Sequence, residues 1–128
     1  SVYKHFYPRA KKHNTPFAIS LVTSWLRDTS EKPHSTDEKG TPDPTMTWNQ
    51  AREINQSGLA DFVSHTDGMH YQAAEQLSTP YTYPVITTRQ FLTEFNRPET
   101  NSEYERRIRL DMITSRLRFQ QHGFRVPS

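Results

Sequence analysis

The most hydrophobic stretch of this chain is the run Phe17-Ala18-Ile19-Ser20-Leu21-Val22, opened by Pro16. It is short, apolar and partly β-branched, which reads as a buried strand of the kind found in parallel sheets. What surrounds it decides the fold class. Upstream, Val2, Phe6 and Ala10 recur at intervals of four, with His5 and His13 near the same stripe, so residues 1–13 are expected to be helical. Pro8 should kink that helix or begin a fresh first turn, because its ring removes a backbone donor. Downstream, Trp25 and Leu26 leave the strand. Residues 27–46 are polar and dense in Pro, Ser, Thr, Asp, Glu and Lys, and read as a surface loop.

A second helix and strand follow. Thr47-Trp48-Asn49-Gln50 places a hydroxyl three residues before a Gln, the capping-box pattern. Trp48, Ala51 and Ile54 then make a helical stripe, and Gly58 is placed to end the helix in a left-handed conformation. Leu59-Ala60-Asp61-Phe62-Val63-Ser64 reads as a short second strand. The order helix, strand, loop, helix, strand implies α/β units around a parallel sheet. In such sheets, ligand groups collect at the carboxyl ends of the strands. The residues there are Ser64-His65-Thr66-Asp67-Gly68-Met69-His70.

Pro80, Pro84 and Pro98 argue against regular structure over residues 71–100, and irregular segments of that length are often functional. Ser102-Glu103-Tyr104-Glu105 reads as a second capping box. The helix it opens should run to about His122, with Tyr104, Ile108, Met112, Ser115 and Phe119 on one face. Leu110, Ile113 and Leu117 broaden that face, and Gly123 closes the helix. Phe124-Arg125-Val126 reads as the start of a third strand. Residues 1–128 are therefore expected to be an internal part of one larger domain.

Composition fits a piece of a larger domain, or a domain with long polar loops. Hydrophobic residues make up 32% of the chain, against about 45–50% in ordinary globular proteins. The aromatic share of 12% is too high for a disordered chain. The absence of cysteine excludes disulfides, thiolate zinc sites and a cysteine nucleophile. The net charge of +2 comes from mixed charges. Lys11, Lys12 and His13, and Arg106, Arg107 and Arg109 beside Glu103, Glu105 and Asp111, read as solvated helix faces, not a nucleic-acid site. No apolar run reaches the roughly 18 residues of a membrane span. There is no Gly-x-Ser-x-Gly elbow and no glycine-rich phosphate loop.

His65 and His70 are the pair that could carry chemistry. Neutral imidazole is the commonest protein metal ligand. Five residues apart, they cannot share a helix face, since five residues turn a helix by roughly 500°. A strand end leading into a turn can converge them, with Gly68 giving the freedom. A catalytic divalent site needs about three protein ligands and an open position, so a third is expected from elsewhere. On spacing alone, two loop histidines that bind nothing is the commoner outcome, and position after a strand in an α/β order shifts the balance toward a site. Asp67 between them could be a ligand, a partner of a ligand or a turn residue. His5, His13, His34 and His122 read as ordinary surface or helix residues. Trp25 and Trp48 read as packing anchors. Tyr71, Tyr81 and Tyr83 could stack on a glycan, and Arg89 reads as a surface arginine or as one that orients an anionic or carbonyl group.

The stretch Met46-Thr47-Trp48-Asn49-Gln50-Ala51-Arg52-Glu53, then Ser57-Gly58-Leu59, Phe62-Val63-Ser64-His65-Thr66 and Met69-His70, resembles the polysaccharide deacetylase family (carbohydrate esterase family four). It is most similar to the branch that de-N-acetylates poly-β-1,6-N-acetyl-D-glucosamine in biofilms, where the two histidines are five apart. Pro16 to Leu26, Thr88-Arg89-Gln90 and Tyr104 to Asp111 are similar to further segments of that branch. The resemblance implies a fragment of a distorted (β/α) barrel of the NodB homology type, within the α/β class. It implies a metal site of one Asp and two His, the histidines being His65 and His70. The implied metal is a divalent ion (zinc, nickel, cobalt or iron) that polarises the acetamide carbonyl and the attacking water. A second Asp acts as base and a later His as acid, and the products are acetate and a free glucosamine amine.

The family's Asp-Asp pair lies upstream of the segment that matches Ser1-Val2-Tyr3, and this chain has no Asp before Asp28. The acid His and a Trp-Pro-Tyr-Gly segment lie downstream. No catalytic acid or base is therefore expected within this chain, which alone should bind metal weakly and turn over poorly. The implied partner is an N-acetylglucosamine polysaccharide. The implied location is periplasmic or extracellular, with possible outer-membrane anchoring of the full-length protein. The alternative is a degenerate deacetylase that holds polysaccharide without cleaving it.

Overall fold

Pro8 decides how the folded chain begins. In the computed structural model, which describes residues 2–26 and 46–125, Val2–Phe6 winds as a π-helix and Tyr7–Lys12 as α1, with Pro8 in its first turn. That is a fresh start, as the missing proline donor requires. The wider π winding moves the inward stripe. Tyr7 and Ala10 are buried and Tyr3 stacks on Tyr7 at 6.1 Å, whereas Val2 and Phe6 face solvent, contrary to the four-residue spacing.

β1 (Phe17–Leu21) and β2 (Ala60–Ser64) pair in parallel, Phe17 opposite Ala60 through Leu21 opposite Ser64. The parallel pairing agrees with the sequence. Double-sided burial does not: Ile19 and Leu21 are buried and Ala18 and Ser20 exposed, because only one face of the pair is covered. α2 (Trp48–Gln56) connects them as expected. Gln50 N donates to Thr47 Oγ1 at 3.2 Å, and Thr47 N donates to Gln50 Oε1 at 3.0 Å. Trp48, Ala51 and Ile54 are essentially sealed, and Gly58 ends the helix at φ +73°. Met46, expected at the end of a loop, is buried in the same core. The expected surface loop at 27–45, with Asp28 and His34, lies outside the described residues.

The segment 71–100 is more ordered than its prolines suggest. β3 (Gln72–Ala73) pairs antiparallel with β4 (Tyr83–Pro84), and β5 (Phe91–Leu92) with β6 (Arg97–Pro98). Each is a two-residue ladder, where Pro84 and Pro98 cost little because no further strand needs their missing donor. A 3-10 turn at Val85–Thr87 links them.

α3 (Asn101–Gln121) begins two residues earlier than expected, with Thr100 and Glu103 forming the capping box instead of Ser102 and Glu105. Arg97 explains the choice: it grips both Glu103 carboxylate oxygens at 2.8 and 2.9 Å. Gly123 closes the helix at φ +81°. Phe124 then folds back against Trp48, Phe62 and Phe119, so Phe124 and Arg125 are not a strand; Val126 is outside the described residues. The apolar face of α3 is also narrower than expected. Ser115 and Phe119 are buried and Tyr104 and Ile108 half-buried, whereas Met112, Leu110, Ile113 and Leu117 are exposed. The α/β order is therefore present locally, as one two-stranded parallel sheet and two small ladders. These described residues do not themselves close a barrel.

The Glu103 cap should be visible in the pH dependence of folding. Arg97, and then the Thr100 backbone, hold its carboxyl down at about 2. A depressed carboxyl stabilises the fold above its unfolded value and loses that contribution as pH falls through the folded one. Thermal unfolding of the parent and of Glu103→Gln should differ at neutral pH and converge as pH falls from the normal carboxylate range toward 2. A difference independent of pH would contradict this.

Candidate metal centre

β1 and β2 end side by side, and the site grows from that edge. His65 N donates to Leu21 O at 2.7 Å, carrying the ladder one residue past β2. Thr66 then turns the chain with φ +72°, a left-handed conformation that a β-branched residue rarely adopts. Its surroundings hold it there. Thr23 N donates to Thr66 O at 3.1 Å, Ser24 N to Asp67 O at 3.1 Å, and Met69 N to Thr66 Oγ1 at 3.1 Å. The sequence suggested that Gly68 supplies the freedom, but the positive φ falls on Thr66, and a Cβ on Gly68 would meet only Asp111 Oδ1 at 3.9 Å.

The turn brings the expected pair together. The His65 and His70 ring centres are 5.2 Å apart with planes at 57°, and Trp25 meets His70 edge-on at 4.8 Å. An imidazole bound at about 2.0–2.1 Å has its ring centre roughly 3.2 Å from the ion, so two tetrahedral ligands stand about 5.2 Å apart, centre to centre. The observed separation therefore suits two ligands of one ion. Both rings line an open cleft of about 490 Å³ with Met69, Tyr71, Ile86 and Met112. Among the described residues, no third His, Asp or Glu completes a group of ligands.

Asp67 takes a role other than ligand. Thr23 Oγ1 donates to its Oδ1 at 2.8 Å, and Arg118 Nε lies 2.6 Å from the same oxygen. Ser115 Oγ continues the network, 3.1 Å from Thr23 Oγ1 and 2.6 Å from Ser64 Oγ. Asp111 completes it, accepting the amides of Asp67 and Gly68, each at 2.8 Å.

The basic cluster on α3 also needs correction. Arg106 and Arg109 are exposed, but Arg107 reaches inward. Its side chain is 16% exposed, and it contacts Glu99, itself 4% exposed, at 2.7 and 2.9 Å. It also donates to Val85 O, Thr88 O and Met69 Sδ. Burial pushes the Glu99 carboxyl up, but Arg107 and the Gln90 amide outweigh it and hold the group below its ordinary value. Arg107, Asp111, Ser115 and Arg118 thus form a polar stripe on the inward face of α3. Apolar periodicity placed Ser115 on the buried face of α3 but left out Arg107, Asp111 and Arg118; the spacing of the polar residues, near four and seven to eight, was the available signal.

The remaining candidates behave plainly. His122 stacks on Trp48 at 4.0 Å, with Nδ1 3.1 Å from Arg52 Nη1. Trp48 is a buried anchor, Trp25 is partly buried, and Arg89 pairs with Glu75 at the surface. His5 and His13 are exposed at the first helix. Tyr71 lines the histidine cleft, while Tyr81 and Tyr83 line a second cleft of about 410 Å³. No helix of the described residues is long and apolar enough to cross a membrane.

No family model matches the chain. It is similar to the poly-β-1,6-N-acetyl-D-glucosamine N-deacetylase of Escherichia coli strain K12, 32% identical over 114 residues, which are 88% of this chain and 17% of that protein. The BpsB deacetylase domain from Bordetella bronchiseptica is similar in structure, with a TM-score of 0.85 and 30% identity over 100% of this chain and 49% of that one. The de-N-acetylase from Aggregatibacter actinomycetemcomitans has a TM-score of 0.82 and 29% identity, over 94% and 45%. IcaB from Ammonifex degensii shares the fold at a TM-score of 0.58 and 20% identity, over 95% and 40%. The chain spans about a sixth of the Escherichia coli relative and about half of the BpsB domain. These likenesses bear out the resemblance to polysaccharide deacetylases read from the sequence.

Proposed function

We propose that this chain is part of a poly-β-1,6-N-acetyl-D-glucosamine N-deacetylase and supplies His65 and His70 as two ligands of its catalytic metal. The single observation that carries the reading is the 5.2 Å separation of the two rings at the carboxyl end of a parallel strand pair. The likeness to named de-N-acetylases supports the substrate class. A divalent ion there (zinc, nickel, cobalt or iron) would polarise an acetamide carbonyl and lower the pKa of a bound water. The chain's own part is to hold and orient. Thr66 and its partners fix the turn between the ligands, and Trp25 packs against His70. Met69, Ile86 and Met112 offer an apolar wall to a sugar's carbon face beside the pair. The third ligand, the base and the acid would come from the rest of such a domain. The same reading puts the protein in the periplasm or outside the cell, acting on biofilm exopolysaccharide.

Zinc titration by calorimetry tests this. The parent should bind, and His65→Ala and His70→Ala should each lose far more than the roughly 10–100-fold that loss of an outer partner costs. Binding that survives both substitutions would sink the assignment, and so would a parent that still binds nothing when the titration is repeated on a longer chain that includes the rest of the domain.

A further inference from the structure

We infer that Asp111 is the positioning residue of the histidine pair. It stands on α3, remote in sequence from the loop, yet its two carboxylate oxygens accept the two successive amides between the histidines. Asp67 N donates to Oδ2 and Gly68 N to Oδ1, each at 2.8 Å. A charged acceptor with both oxygens engaged fixes the orientation of two peptide planes at once. Those planes separate His65 from His70, so fixing them sets how far apart the two rings stand. The same turn holds Thr66 at φ +72°, a conformation that must be supported from outside. On the far side, Arg118 and Thr23 hold the Asp67 side chain, so the loop is gripped by backbone and side chain together. Gly68 is not the device. Its conformation is open to other residues, and a Cβ there would make only an ordinary contact.

The consequence for metal binding rests on the reading of His65 and His70 as ligands, but the clamp itself can be tested without metal. Amide hydrogen exchange on the whole chain should show Asp67 and Gly68 protected in the parent. In Asp111→Asn both should exchange roughly 10–100-fold faster, the factor expected for hydrogen bonds to a charged group. Amides of β1 and α2 should be unchanged, and Gly68→Ala should leave the pattern intact. Zinc affinity of Asp111→Asn should then fall by about 10–100-fold while its unfolding midpoint stays near the parent's, a separation that a merely structural role would not produce. Unchanged exchange at Asp67 and Gly68, or unchanged zinc affinity in a variant whose parent binds, would overturn the inference. A parent that binds no zinc would move the affinity comparison to a longer chain that includes the rest of the domain, and the exchange result would still decide the clamp. If Asp111→Asn loses protection everywhere, the parent decides alone: unprotected Asp67 and Gly68 amides overturn the inference, and protected ones sustain it.

Discussion

Arg107→Ala is expected to lower the unfolding free energy by about 3–5 kcal/mol, the usual cost of removing one partner of a buried ion pair. Glu99 is 4% exposed and would keep the Gln90 amide but lose its cation. The carbonyls of Val85 and Thr88 would each lose a donor as well. The loss should be local as well as global, because Arg107 ties α3 to Met69, Val85 and Thr88 and so to the wall of the histidine cleft. Its pH dependence has a definite sign. Without Arg107, burial is the main influence on Glu99 and favours its neutral form. The variant should therefore recover part of its deficit as pH falls and Glu99 takes up a proton, while the parent, whose Glu99 is held low, loses stability. Urea unfolding at neutral pH and near pH 4 measures both. A deficit under about 1 kcal/mol at neutral pH, within reach of an exposed pair, would mean the pair is not buried in solution.

Trp48→Ala should cost a similar amount, about 3–5 kcal/mol, for a different reason. Trp48 is 1% exposed and touches Phe119 and Phe124 at 5.9 Å and His122 at 4.0 Å. Its removal would empty the junction of α2, α3 and the returning Phe124. Among the described residues its buried Nε1 has no hydrogen-bond partner, a cost that the parent already bears. Trp48→Phe removes that donor while filling most of the space, so it should cost less than about 1.5 kcal/mol. The chevron or equilibrium midpoint of both variants gives the comparison. Equal losses for Ala and Phe would show that the indole edge, not the ring volume, holds the junction.

The local elements were legible because each has a short-range cause. Thr47 and Gln50 cap α2 through groups three residues apart, and Gly58 ends it because glycine alone takes φ +73° at no cost. Pro8 had to kink the first helix or open a fresh turn, and it does the second. Where two local causes competed, sequence could not choose: Thr100-Glu103 and Ser102-Glu105 have the same pattern, and Arg97 decided between them. The prolines at 84 and 98 suggested irregularity, but ladders of two residues leave them unharmed.

The site divides along the same line. His65 and His70 could be singled out as imidazoles beyond a strand, and the resemblance to deacetylases pointed to the same two. Their 5.2 Å approach could not be read from five-residue spacing. It depends on Thr66 being held left-handed by Thr23, and on Asp111 reaching across from α3 to two amides. Arg107 and Asp111 looked like ordinary helix charges, because charge on a helix is usually solvated. Only packing showed that their face of α3 turns inward. The sequence by itself determined the cap of α2, the helix stops at Gly58 and Gly123 and the extended runs that became β1 and β2, all consequences of backbone and side-chain chemistry within a few residues. The tertiary structure decided which face of α3 is buried, which acids are engaged and how the histidines meet. Those depend on contacts between separate elements, such as Asp67 with Asp111 and Thr23 with Ser115, whose free energy comes from burial and pairing that no local pattern records.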